Sequence, residues 1–231
     1  MLEFLHIEDL VALGVFLIFW LGFEFVIDHS QMRHKSLSGL LAHKRREWML
    51  SFAERELRMF DEGILSGLQA GTGFMGTISV FAIGGCFALL NSTDVVLSIF
   101  ANLEVISVDI RGSWQVKIIG LTFIFVYSFF KFAWAYRLFN YCGILMGAVR
   151  MPGKALPEEI RKQALLAAEM NITASKHFTA GIRGIFFGFA FLGWLIGPYV
   201  LIGSTLCVAF VLFRRQFLSK ARKILLDASL T

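Results

Sequence analysis

Residues 178–213 read FTAGIRGIFFGFAFLGWLIGPYVLIGSTLCVAFVLF, 36 residues with a single charge, Arg183. As one α-helix this stretch would measure about 54 Å, far more than the roughly 30 Å core of a bilayer. Gly197-Pro198 interrupts it. Proline cannot donate to the helical ladder and clashes with the preceding turn, and glycine readily ends a helix. The stretch therefore predicts a hairpin of two spans, 178–196 and 199–213. The alternative is one long helix kinked at Pro198, which would leave the following basic tail on the opposite side of the membrane.

Three more apolar runs lie upstream. Residues 10–27 carry one charge, 64–90 none and 116–136 two. Each comes near the ~20 apolar residues that a crossing helix needs. The chain is 57% hydrophobic with a mean hydropathy of +0.68, more apolar surface than a soluble domain of this length readily hides. The fold class read from this is all-α: a polytopic helical membrane protein with five transmembrane helices, forming a single domain over residues 1–231. The first run does not read as a cleavable signal peptide. Glu3, Glu8 and Asp9 stand where a basic segment is expected, and bulky residues followed by Asp28-His29 stand where a small-residue cleavage site is expected.

Basic residues orient the spans. Arg33, Lys35, Lys44, Arg45, Arg46, Arg55 and Arg58 follow the first run. Arg137, Arg150, Lys154, Arg161, Lys162 and Lys176 follow the third, and Arg214, Arg215, Lys220, Arg222 and Lys223 lie in the tail. These are 18 of the 22 lysines and arginines, whereas the loop 91–115 holds only Arg111. The positive-inside rule puts the three rich segments in the cytoplasm, the N-terminus outside and the C-terminus inside. The expected location is the cell inner membrane, multi-pass, with anionic lipid head groups meeting the net charge of +5 at the cytoplasmic face. No stacking motif accompanies the charge, so nucleic acid is not an expected partner.

Two cytoplasmic segments carry helical patterns. In 40–60, Met49, Phe52, Ala53, Leu57 and Phe60 fall on one face, and nothing before Gly63 breaks the chain. One long helix continuous with the second span is expected, either resting on lipid or forming a stalk for subunit contacts. Pro152-Gly153 marks a turn, and Pro157 with Glu158 and Glu159 suits the start of a helix over 157–177.

Arg46-Glu47-Trp48-Met49, Arg55-Glu56-Leu57-Arg58 with Asp61, and Gly84-Gly85 follow one another along the chain. After them come Phe130-Lys131-Phe132-Ala133-Trp134, Arg137-Leu138-Phe139-Asn140-Tyr141 and Arg214-Arg215-Gln216-Phe217. In this order the segments resemble the bacterial and plant membrane proteins grouped as domain of unknown function 599. The resemblance covers nearly the whole chain. It implies a multi-span membrane protein and no particular activity.

Candidate functional residues are ionisable or small. Glu24, Glu62, Gln69, Lys131, Arg137 and Arg183 all fall in the cytoplasmic third of the spans. Charges in lipid pair, snorkel or line water. The expectation is an ionic belt joining Glu24 or Glu62 to Lys131 or Arg183, with Arg137 at the head groups; a hydrated vestibule is the alternative. Lys117 is expected to reach the outer head groups and to matter less to stability than Lys131. Gly63, Gly67 and Gly71 form GxxxGxxxG in the second span, where backbones can approach closely, either within the chain or between copies. Cys86, Cys142 and Cys207 form no CxxC and read as packing residues. The histidines lack metal-ligand spacing, so neither a metal nor any other cofactor is expected. No nucleophile elbow, Walker loop or dinucleotide fingerprint occurs. The preferred reading is a non-enzymatic structural or accessory membrane protein that self-associates or joins a membrane complex. A small oligomeric ion channel or transporter comes second and a membrane enzyme third.

Overall fold

The computed structural model describes residues 6–29, 36–95 and 111–228. Every described element is a helix: α1 (Ile7–His29), α2 (Leu37–Glu54), α3 (Met59–Asn91), α4 (Arg111–Ala148), α5 (Pro157–Ile196), α6 (Pro198–Phe217) and α7 (Lys220–Asp227). Of these, α1, α3, α4, α5 and α6 are long and apolar enough to cross a membrane. Arg33, His34, Lys35 and most of the loop 91–115 lie outside the described residues.

Local chemistry sets most boundaries. α5 stops at Ile196 and α6 starts at Pro198, with the Gly197 amide donating to the Gly193 carbonyl at 3.1 Å. The two helices pack on each other, which gives the hairpin in place of one kinked helix. Gly153, at φ 76°, takes the left-handed conformation that turns the chain between α4 and α5. Pro157 then opens α5 with Glu158 and Glu159 in its first turn. α5 carries 157–177 and 178–196 as one continuous helix of 40 residues.

The segment 40–60 departs from the expected single helix. α2 ends at Glu54 and α3 begins at Met59. Arg55 is extended at φ −84° and ψ 137°. No glycine or proline causes this break. The Asp61 carboxylate is fully buried and accepts from both Trp48 Nε1 and Arg55 Nη1 at 2.7 Å. Arg58 donates to the carbonyls of Val149 at 2.6 Å and Arg150 at 3.1 Å, satisfying backbone left over where α4 stops. These bonds outweigh continued helix. Consequently Met49, Phe52 and Ala53 are buried, while Leu57 and Phe60 are 81% and 73% exposed. The apolar face of α2 is covered by α4 and α5 of the same chain and does not rest on lipid.

α4 and α5 form the central pair. α3 packs on α4, α6 on α5 and α1, α2 on α5, and the short α7 on α2. Two apolar cores result. One, around Phe16, Ile118, Leu121, Phe187 and Trp194, fills the half away from α2. The other, around Met49, Phe139, Cys142 and the alanines 164, 167, 168 and 174, fills the α2 half. Small alanines let α2 and α4 lie close against α5, where larger side chains would hold them off. α3 faces α4 with Leu65, Thr72, Ser79 and Cys86, one buried residue every seven.

Candidate functional site

The waist between the two cores holds the ionic group. Glu24 on α1 accepts a hydrogen bond from the Tyr127 hydroxyl of α4 at 2.6 Å. Lys131 Nζ lies 3.7 Å and Arg183 Nη2 4.0 Å from the same carboxylate oxygen. Arg183 is 5% exposed, so its charge has left water. The Tyr127 bond is the short contact, and the two cations stand around it as a looser shell. Glu24 thus ties α1 to both central helices.

The other expected members of the belt lie elsewhere. Glu62 is exposed at the start of α3, and among the described residues it forms no ion pair with Lys131 or Arg183. Gln69 donates to Asn140 at 2.8 Å, joining α3 to α4 away from Glu24. Arg137 is exposed and donates to Tyr141 at 2.6 Å. Of the two acids expected to pair with Lys131 or Arg183, Glu24 stands beside both, while Gln69 and Arg137 make separate contacts. The reason is azimuth: residues at similar depth face different neighbours.

A second ionic group was not legible in the sequence. Asp9 is buried at the opposite end of α1, where it accepts from Trp194 Nε1 at 2.5 Å and lies 3.4 Å from Lys117 Nζ. Lys117 therefore turns inward to an acid and an indole face, 5.4 Å from the Trp194 ring, instead of outward to head groups. The only available signal was an acid and a lysine near the same expected membrane surface.

Between Asp9 and Glu24 the space is aromatic. Trp194 meets Phe191, Phe191 meets Phe16, Phe16 meets Trp20 and Trp20 meets Tyr127, with ring centroids 5.1–5.6 Å apart. Phe187 packs on Phe16 and Trp20 from the side. Tilted and edge-on pairs at such distances attract beyond their area alone. They leave an apolar column separating the two acids.

The glycines divide in the same way. Among the described residues a Cβ built at Gly63, Gly67 or Gly71 would meet nothing within 4 Å, so no described neighbour packs into this motif. Gly84 and Gly85 are equally open. The close approach lies instead between α4 and α5. A Cβ at Gly181 would come 2.7 Å from the Phe132 ring, and one at Gly188 would come 2.7 Å from the Phe125 ring. Gly184 sits against Ser128 between them. The spacing 181, 184, 188 is helical and could have been read in the sequence, but nothing there marked it above the more regular motif of α3.

On the α2 side of Glu24, Arg45 is half-buried and donates to Asn171, which is fully buried. Burial lowers the pKa of its guanidinium from the ordinary value, a nearby Cys142 acting in the other direction. Its neighbours Lys44 and Arg46 reach carboxylates, Glu47 at 2.8 Å and Glu169 at 2.6 Å. Among the described residues Arg45 reaches the amide of Asn171, and it borders a small cavity shared with Lys176 and Arg183.

Among the described residues, packed helices, five of them of membrane-spanning length and composition, define the class as an all-helical protein compatible with a multi-pass membrane position. The chain belongs to the family described as "Protein of unknown function, DUF599", which matches residues 11–221. No curated protein and no solved structure matches it.

Proposed function

We propose that the protein is a non-enzymatic structural or accessory component of the cell inner membrane, crossing it five times with its N-terminus outside and its C-terminus inside. The aromatic column between Asp9 and Glu24 carries this reading. A conducting or transporting chain needs a polar route joining its charged groups, and here the two acids are separated by packed rings. The charges then serve as clamps holding α1 to α4 and α5. The concentration of basic residues in three of the segments between and after the spans supports the orientation, and anionic head groups are the lipid partner that such charge attracts.

Self-association through α3 is the second part of the proposal. α3 is the least covered of the five long helices, with 11% of its most apolar window buried. Its Gly63, Gly67 and Gly71 leave an open stripe without side chains. In lipid, helices associate through such close van der Waals contact and gain little from hydrophobicity.

Two measurements test this. Side-specific reporters fused at Met1 and Thr231 are expected to report opposite sides, Met1 outside and Thr231 inside; termini on the same side would end the five-span topology. Gly67→Leu is expected to leave the thermal stability of the subunit unchanged and to remove cross-linked dimers or larger species seen with the wild type. A variant that cross-links as the wild type does would show that α3 faces only lipid.

A further inference from the structure

α1 is clasped to α4 at two places and stands apart from it between them. At one end Lys117 Nζ lies 3.4 Å from Asp9, and at the other the Tyr127 hydroxyl donates to Glu24 at 2.6 Å. Between these clasps α1 docks chiefly on α6, and its backbone stays largely clear of α4. The gap is a groove of about 350 Å³, within the size range of small-molecule sites. Leu10, Leu13 and Leu17 form its α1 wall, and Val116, Gly120 and Phe123 its α4 wall. Both rows recur at helical spacing, and the two helices run in the same direction, since Asp9 meets Lys117 and Glu24 meets Tyr127. The groove therefore follows the helix axes. Phe16, Phe191 and Trp194, all buried, make its floor. A Cβ at Gly120 would lie 2.8 Å from the Phe191 ring, so the bare backbone there lets this ring close the floor. The rims are open, with Leu10, Leu17 and Phe123 exposed. The described lining is hydrocarbon and aromatic ring without a charge, and the Trp194 N–H is already taken by Asp9. Water finds too few polar partners in such a space to occupy it, and packed proteins leave few voids of this size.

The geometry points to the hydrocarbon chain of a membrane lipid as the occupant. Its length decides this. From Leu10 to Trp20 the groove follows ten residues of α1, about 15 Å of helix. A bilayer core measures about 30 Å, so the groove has the depth of one leaflet. It begins beside the Asp9–Lys117 pair, where polar groups mark the edge of the core, and it ends at Trp20, short of Glu24. A chain lying there completes the packing of α1 on α4 between the two clasps, while its head group stays at the Asp9 surface. The proposal rests on the membrane reading above.

The test is thermal unfolding of the full chain in a neutral detergent held at one concentration, with phosphatidylcholine added. Dioleoylphosphatidylcholine is expected to raise the midpoint saturably. Dihexanoylphosphatidylcholine, the same head group on short chains, is expected to do so far less. Leu13→Trp and Leu17→Trp each put a ring into the groove. Each is expected to raise the half-saturating concentration of the dioleoyl lipid about tenfold or more, the effect of keeping roughly two chain carbons out of an apolar site. Ile18→Phe, which enlarges an exposed side chain outside the groove on the same helix, is expected to leave it unchanged. Leu17 stands at the open rim, so its variant reports even if Leu13→Trp fails to fold. The proposal is overturned if both lipids act alike on the wild type, if neither acts, or if all three variants respond as the wild type does. It is also overturned if Leu13→Trp and Leu17→Trp lose a cross-linked dimer that the wild type forms, which would make a second copy the occupant. A chain found in the soluble fraction of cells would reject the membrane reading and the groove together. A membrane-bound chain without a saturable lipid effect would reject the groove alone.

Discussion

Glu24→Ala is expected to lower the unfolding free energy of the detergent-solubilised protein by about 3 kcal/mol, the lower end for breaking a buried ion pair. The lower end applies because the Glu24 side chain is 24% exposed and water screens part of its field. Three groups lose their shared partner at once. The Tyr127 hydroxyl loses an acceptor at 2.6 Å, Lys131 a charge at 3.7 Å and the buried Arg183 a charge at 4.0 Å. Glu24→Gln separates the contributions. It keeps an acceptor for Tyr127 and removes the charge, so its loss should fall between those of wild type and Glu24→Ala. Thermal unfolding of the three proteins side by side provides the measurement. Equal midpoints for all three would mean that the waist is not held by this carboxylate. A Gln variant as damaged as the Ala variant would assign the stabilisation to charge alone.

Gly188→Leu is expected to prevent folding, with loss of monodisperse protein after extraction. At that position even the first carbon of a side chain would lie 2.7 Å from the Phe125 ring, a buried member of the larger apolar core. The further atoms of a leucine would run into that ring and push α5 away from α4, the most extensively packed pair among the described helices. Gly188→Ala adds only that first carbon, and a cost of about 1–3 kcal/mol is expected from overpacking. Fluorescence-detected size exclusion and thermal unfolding distinguish the two grades. A Gly188→Leu protein with the wild-type midpoint would show that the α4–α5 interface yields more easily than close packing allows.

The sequence alone was enough for the helical class, for five segments long and apolar enough to span, and for the hairpin at Gly197-Pro198. Each of these depends on local quantities: the length of an apolar run and the proline that lacks an N–H and cannot continue the preceding helix. A pairing of Glu24 or Glu62 with Lys131 or Arg183 was also legible, because charges inside long apolar runs must find partners, but the choice of Glu24 was not. The rest depended on the direction each side chain faces around its helix axis. Gly63, Gly67 and Gly71 look more like a packing motif than Gly181, Gly184 and Gly188, yet only the second set meets a neighbour. Leu65, Thr72, Ser79 and Cys86 turn α3 so that Gly63, Gly67 and Gly71 face away from α4, and that rotation is set by contact with α4. Lys117 turns in to Asp9 for the same reason, since α1 and α4 must be docked before the pair exists. The break at Arg55–Arg58 carries no glycine or proline. It exists because Asp61, Trp48 and the end of α4 offer those residues better hydrogen bonds than another helical turn would, and only the tertiary fold brings those partners together.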